Sequence, residues 1–471
     1  MTRDFTHGSP MKLILFFTIP TLFGMLFQQM YNMVDTMIVG RLLGAQALAA
    51  VGATGSIGFL VFGFCTGVCG GFAIPVAQRM GAGDYGKMRR YVANAAYLAA
   101  ILAVTMTALT GVFCERILRA MGTPEDIYRD SYRYIFIIFM GIPTTVLYNL
   151  LAGVIRSLGD SKTPVYFLAL SSVLNIALDL ALILFARMGV AGAALATVIA
   201  QAVSALACLM YIRRRFPILR MSRPERKPDP AMAAELLVMG VPMGLQYSIT
   251  AIGSIVLQTA INALGSLYVA AIAAGSKIYQ LVVCPFDSMG MAMATYCGQN
   301  AGAGKLDRLG KGVRDCSLLG LIYSLAALAA MVVFAPSCAM WFIDAKETQI
   351  ALLQPLVVRF LRIIAVFYFP LALVNIIRFS IQGMGFSVFA ILSGVLEMLA
   401  RAVVGHYLVP LFGFDAACFA SPAAWLGADL FLIPACMLCI ARLRRHQSPG
   451  ARPRHRRRPH LPRPRLGHAH A

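Results

Sequence analysis

MKLILFFTIPTLFGMLFQQMYNMVDTMIVG, residues 11–40, opens with an apolar run long enough to cross a bilayer. It then sets Gln28, Gln29, Asn32 and Asp35 where hydrocarbon would surround them. A carboxylate facing lipid at that depth costs at least about 2 kcal/mol, so such residues turn toward the bundle interior and mark functional sites. Asp35 is expected there, rather than at the helix mouth.

The rest of the chain fits a membrane-embedded reading. Of 471 residues, 59 % are hydrophobic and 13 % charged, whereas soluble domains carry about 25 % charged residues. The first apolar segment is too long for a cleaved leader and reads as the first spanning helix. The eleven cysteines are scattered singly apart from Cys436 and Cys439. This pair sits in an apolar run, where packed thiols are expected rather than a metal or redox pair. The net charge of +21 invites a nucleic-acid partner, but ten arginines lie between Arg442 and Arg465 in a segment without a single acid. A Pro/Arg/His-rich tail over 443–471 builds no core and is expected to be disordered. Its expected contact is anionic membrane lipid, with no nucleic-acid partner.

Twelve spanning helices are predicted, each at or above the ~20 residues that cross the hydrocarbon. Basic residues gather after the second, fourth, sixth and eighth spans: Arg79 and Lys87, Arg156 and Lys162, Arg213 to Lys227, and Lys305 to Arg314. The intervening loops are short or balanced. The positive-inside rule therefore puts both termini in the cytoplasm of a multi-pass inner-membrane protein. The two halves repeat. QRMGAGDYGK at 78–87 matches QNAGAGKLDR at 299–308, Ile19-Pro20 matches Val241-Pro242, and Asn149 with Gly159 matches Asn375 with Gly385. The fold class is thus all-α integral membrane, with twelve helices in two six-helix lobes related as parallel repeats. The predicted lobes are 1–212 and 233–442, joined by a cytoplasmic linker at 213–232. The GAG elements lack the GK[ST] ending of a phosphate loop and read as tight turns.

One polar constellation stands out. Asn175 and Asp179 share a helix face at i, i+4, and Thr197 lies in the small-residue run GVAGAALAT, which permits close helix approach. Counting ~1.5 Å per residue from the helix ends puts Asp35, Asp179 and Thr197 at one level in the outer half of the membrane. In low dielectric two such carboxyls do not both stay charged, which describes a proton or small-cation site.

The motifs carry a resemblance. NMVDTMIVGRLLGAQALAAVG at 32–52, AQRMGAGD at 77–84, RSLGDSKTP at 156–164, NIALD at 175–179 and GQNAGAG at 298–304 occur in order in a doubled chain. Together they resemble the multidrug and toxic compound extrusion (MATE) family, in its bacterial DinF-like branch, over residues ~10–442. The resemblance implies a non-enzymatic exporter of organic, often cationic and amphipathic compounds, driven by H+ or Na+ and needing no cofactor. It implies that Asp35, Asn175, Asp179 and Thr197 form the cation or proton site, and that Na+ would bind there if it is the coupling ion. Pro20 matches the proline at which the first helix bends, and its missing N–H supplies a reason to bend there.

The second half departs from the first, because Asp35 falls opposite Val256 or Leu257. Glu397 and Arg401, at i, i+4 with the acid first, read as a structural pair. The expected substrate cavity uses Gln28, Asn32, Gln246, Asp287 and Met289, since acids suit cationic cargo and methionines suit varied aromatic ligands. Asp429 carries no assignment. The reading is of a monomeric alternating-access antiporter, with a proton favoured as the ion. The alternative is a lipid-linked oligosaccharide flippase of the same wider superfamily, which would need a broad basic cavity.

Overall fold

The computed structural model describes residues 4–340 and 347–447. Among these, twelve helical spans account for the apolar runs, with no strand. They are α1 (Pro10–Leu43), α2 (Ala45–Ala53 and Gly55–Gly81), α3 (Tyr85–Ala120), α4 (Glu125–Met140 and Ile142–Ser157), α5 (Lys162–Leu180, extended by a π turn at Ala181–Phe185) and α6 (Val190–Arg215). The second half contributes α7 (Pro230–Asn262), α8 (Ser266–Gly302), α9 (Leu306–Met340) and α10 (Glu347–Val366 and Tyr368–Gly383). It ends with α11 (Val388–Val403, a π turn at Val404–Leu408, then Val409–Phe412) and α12 (Phe414–Gln447). Lipid offers no hydrogen bonds, so spanning chain must satisfy its backbone internally. The last helix runs past the expected end at 442, and residues 448–471 lie outside the described residues. All eleven cysteines are free and buried.

The halves repeat their irregularities as well as their helices. The fourth span of each lobe is bent, by 44° at Gly141 and by 52° at Phe367. The fifth span of each carries the π turn. The turns after α2 and α8 each place a glycine at φ +70°, Gly83 and Gly304, a left-handed conformation that a Cβ would oppose.

The lobes are interleaved rather than merely adjacent. Phe5, Ile14 and Phe17 pack in the core formed by the second half, with Phe5 set edge-on to Tyr296. Conversely, Met232 and Leu236 at the start of α7 pack in the core of the first half. The chain before α1 is tied to the second lobe by Phe5 N–H donating to Gln299 Oε1 (3.0 Å) and by Asn300 Nδ2 donating to Phe5 O (3.1 Å). A boundary drawn by chain order therefore differs from the packing at each lobe's first turns.

The linker is bound to the start of α3. Arg89 pairs with Glu225 at 2.6 Å, Arg90 with Asp229 at 2.7 Å, and Tyr91 donates to Glu235. The hydrogen bond from Arg89, with a second from the Ser222 N–H, holds the Glu225 carboxyl down at about 2. Such a group stabilises the docked linker above its ordinary range near 4.5 and loses that contribution as pH falls through about 2.

Both lobes meet at one end of the bundle through a reciprocal contact. Gln78 Nε2 donates to Gly383 O (3.1 Å), and Gln299 Nε2 donates to Ser157 O (2.9 Å). The helices approach so closely that a Cβ on Gly81 would lie 1.9 Å from Gln299 O, and one on Gly302 would lie 1.8 Å from Gln78 O. Further along, Gly67 and Gly71 of α2 meet the backbone of Met243 and Gly240 in α7.

Two outcomes are expected. Gly302→Ala sets carbon against backbone and parts the lobes, so amide exchange over 78–84 and 299–305 rises about tenfold. Gly310→Ala, with open space around it, leaves that exchange unchanged. Glu225→Gln raises exchange over 217–229 at neutral pH, and the difference from wild type shrinks in measurements carried toward pH 2.

Candidate functional site: a cavity in the first lobe

Beyond this closed end lies a cavity of about 700 Å³. Its wall runs from Arg156 and Ser161, near the closed end, to Val51 and Thr54 near the opposite one. α1, α2, α4, α5 and α6 build it, and the second lobe adds only Tyr247 and Met291. Gln28 and Asn32 line it together with Met25, Tyr31 and Asp35. Gln246, Asp287 and Met289 are not in its wall. Gln246 is buried and accepts from Gln382 Nε2 at 2.7 Å, and Met289 belongs to the second lobe's core.

The four residues of the expected ion site come together beside the cavity, with Asp35 and Thr197 in its wall. Asn175 and Asp179 are buried in α5, and the half-buried Asp35 of α1 brings its carboxyl within hydrogen-bonding reach of that of Asp179. With its amide oriented by its neighbours, Asn175 donates to Asp179 Oδ2 (2.8 Å). Its oxygen accepts from the Thr197 backbone N–H (3.0 Å) and hydroxyl (3.3 Å). One oxygen of each acid, Asp35 Oδ1 and Asp179 Oδ1, is buried without a hydrogen-bond partner among the described residues. Two carboxyl groups this close have no donor between them unless one holds a proton. Tyr31, whose hydroxyl lies 3.4 Å from Thr197 Oγ1, completes the cluster. Sequence reasoning passed over it, although its position four residues before Asp35 on one helix puts both on the same face.

α1 runs unbroken through Pro20. Gly24, one turn on, packs against Val165 of α5, so the helix crosses from the second lobe's core to the first lobe's cavity near this proline.

The second lobe holds a separate buried charge cluster. Glu397 of α11 pairs with Arg401 at 3.4 Å, as its spacing suggests. It also pairs with Arg378 of α10, whose Nε donates to Ser393 Oγ at 3.1 Å. Asp287 and Asp429 lie in the field of Arg378. Arg378 was missed, and a lone arginine inside the apolar run NIIRFSIQG was the signal. Lying between two guanidinium groups, Glu397 has its charge met inside the lobe.

The MatE family profile matches residues 20–181 and 242–428, both halves of the duplication. The chain belongs to the MatE family. This is a transporter family, not an enzyme family, and its members use ion coupling without a cofactor. Two relatives of this MatE protein in Bacillus subtilis (strain 168) are named probable multidrug resistance proteins. YoeA is 31% identical over 74% of this chain and 77% of its own length, and YpnP is 31% identical over 65% and 68%. A crystal structure of MATE in complex with MaL6 shares the fold, with TM-score 0.87 and 23% identity over 94% of this chain and 100% of that one.

Removing the acid from the second-lobe cluster should strand two buried guanidiniums. Glu397→Gln is expected to destabilise by about 3–5 kcal/mol, read as a lowered unfolding midpoint in detergent. Glu115→Gln breaks an exposed ion pair with Arg119 and should change stability by less than about 1 kcal/mol.

Proposed function

We propose that this MatE protein exports organic, often cationic and amphipathic compounds, including drugs, as a proton-coupled antiporter working by alternating access. The carrying observation is the Asp35–Asp179 carboxyl pair, with Asp35 in the cavity wall and Asp179 buried behind it, each acid with a buried oxygen that has no partner among the described residues. A proton suits such a pair, because it bonds one carboxyl to the other and removes their mutual repulsion. Sodium is the less favoured ion, since protonation alone neutralises either acid without the several oxygen ligands a metal ion needs. The names of the relatives support drugs as cargo.

The path from ion to conformation runs along α1. Its first turns are held in the second lobe and its far half carries Asp35 against the first lobe. A change in the charge of the acid pair alters the pull between α1 and α5, and Pro20 is where the helix yields. Proton binding then shifts the balance between two lobe arrangements by its differential affinity for them. The basic loops assign the closed end to the cytoplasm of the plasma membrane, which makes this arrangement outward-facing. A flippase for lipid-linked oligosaccharide diphosphates is less supported, since the wall holds a single cation, Arg156, and not a broad basic surface.

Efflux of ethidium from liposomes containing purified protein tests the proposal. An imposed pH gradient should drive efflux in wild type, and Asp35→Asn should reduce it to the rate of protein-free liposomes. Efflux driven by a sodium gradient alone would replace the ion, and equal efflux by the mutant would remove Asp35 from the mechanism.

A further inference from the structure

Asp35 and Arg156 are the two charged residues of the cavity wall, and their situations are opposite. Asp35 has Asp179 beside it. No acid, hydroxyl or carbonyl pairs with the Arg156 side chain among the described residues, and the titratable groups in its field are Tyr148, Cys208 and Tyr247, none of them a carboxylate. The two buried arginines of the second lobe share Glu397. Arg156 stands near the closed end, where the cavity meets a smaller one lined by Gly70, Met291, Thr295 and Phe379. The Tyr148 hydroxyl donates to Pro164 O at 3.2 Å, and no hydrogen bond joins it to Arg156.

An arginine in the last turn of a helix is favoured by the carbonyls there, and Arg156 occupies that position in α4. That role alone is met by a side chain reaching for water at the membrane surface. This one faces the cavity. Guanidinium presents paired N–H donors that match a carboxylate, and an unpaired one inside a membrane protein marks a place where an anion passes or binds.

We propose that Arg156 docks a carboxylate on the cargo, so that the cavity accepts amphipathic aromatic acids and zwitterions as well as simple cations, with Tyr247 of the other lobe facing the docked group. The assignment rests on the export reading, and it separates cargo from proton. Ser161 lines the cavity beside Arg156 at the start of α5 and Asp179 lies 18 residues further on, on the order of 25 Å along the helix at ~1.5 Å per residue. A drug-sized molecule held at Arg156 leaves the acid pair free. Its apolar body lies against Met25, Phe59 and Phe62.

Two dyes isolate the carboxylate. Rhodamine 110 has a free carboxyl and rhodamine 123 is its methyl ester, on the same cationic ring system. Efflux from proteoliposomes and fluorescence polarisation in detergent are measured for wild type, Arg156→Gln and Arg156→Lys. Arg156→Gln should weaken rhodamine 110 tenfold or more, in KM and in Kd, and leave rhodamine 123 within twofold. Arg156→Lys should recover part of the loss. Equal effects on both dyes, no effect on either, or wild-type binding of the ester without the acid would overturn the assignment while leaving export intact. If wild type neither binds nor moves either dye, the export reading itself fails and the inference falls with it.

Discussion

The two lobes are held together by backbone set against backbone at the closed end. Gln78 and Gln299 each donate to a carbonyl of the opposite lobe, and Gly81 and Gly302 let the helices come close enough to do so. Within a membrane, apolar surface offers little drive for one helix to leave lipid for another. Close packing of small residues and interhelical hydrogen bonds supply it instead. Because those contacts gather at one end, the lobes diverge from there and the cavity lies beyond.

Duplication supplies the frame and not the chemistry. Bent fourth spans, π turns in the fifth spans and paired left-handed glycines recur in both halves. The buried charges do not. The first lobe has a pair of acids, one of them in a cavity wall, with oxygens unpartnered among the described residues, whereas the second has an acid between two arginines, largely closed on itself. A carboxyl pair that lacks donors responds to a proton; a carboxylate already met by guanidinium responds far less. The asymmetry is the basis for proposing ion coupling in the first lobe, while the second lobe's cluster is neutralised within itself. α1 then links them, since it alone carries a site acid at one end and an anchor in the other lobe at its start.

Much of this was legible in the residues. Asp35, Asn175, Asp179 and Thr197 were placed at one depth by helix counting, and the structure brings them into one cluster. Gln246, Asp287 and Met289 were expected in the cavity because polar or acidic groups inside helices suit cationic cargo and methionine suits varied aromatic ligands. Residue type says nothing about which way a side chain faces across a two-lobed interior, and all three lie away from the cavity wall. Arg378 and Tyr31 were overlooked for a related reason: each matters through a neighbour, Glu397 nineteen residues later or Thr197 in another helix.

The sequence alone determined the spanning helices, their doubling and which acids lie inside apolar runs, because hydrophobic length, repeated motifs and charge in apolar runs are local properties of the chain. Only the tertiary structure decided that each lobe's first helix begins in the other lobe's core, that the cavity belongs almost wholly to the first lobe, and that Arg156 stands in its wall without a partner among the described residues. Those outcomes depend on which helix faces meet. In a bundle that is apolar nearly all round, side-chain pattern leaves that choice open, and it is settled by the shape of the packed helices and the few polar groups that find one another.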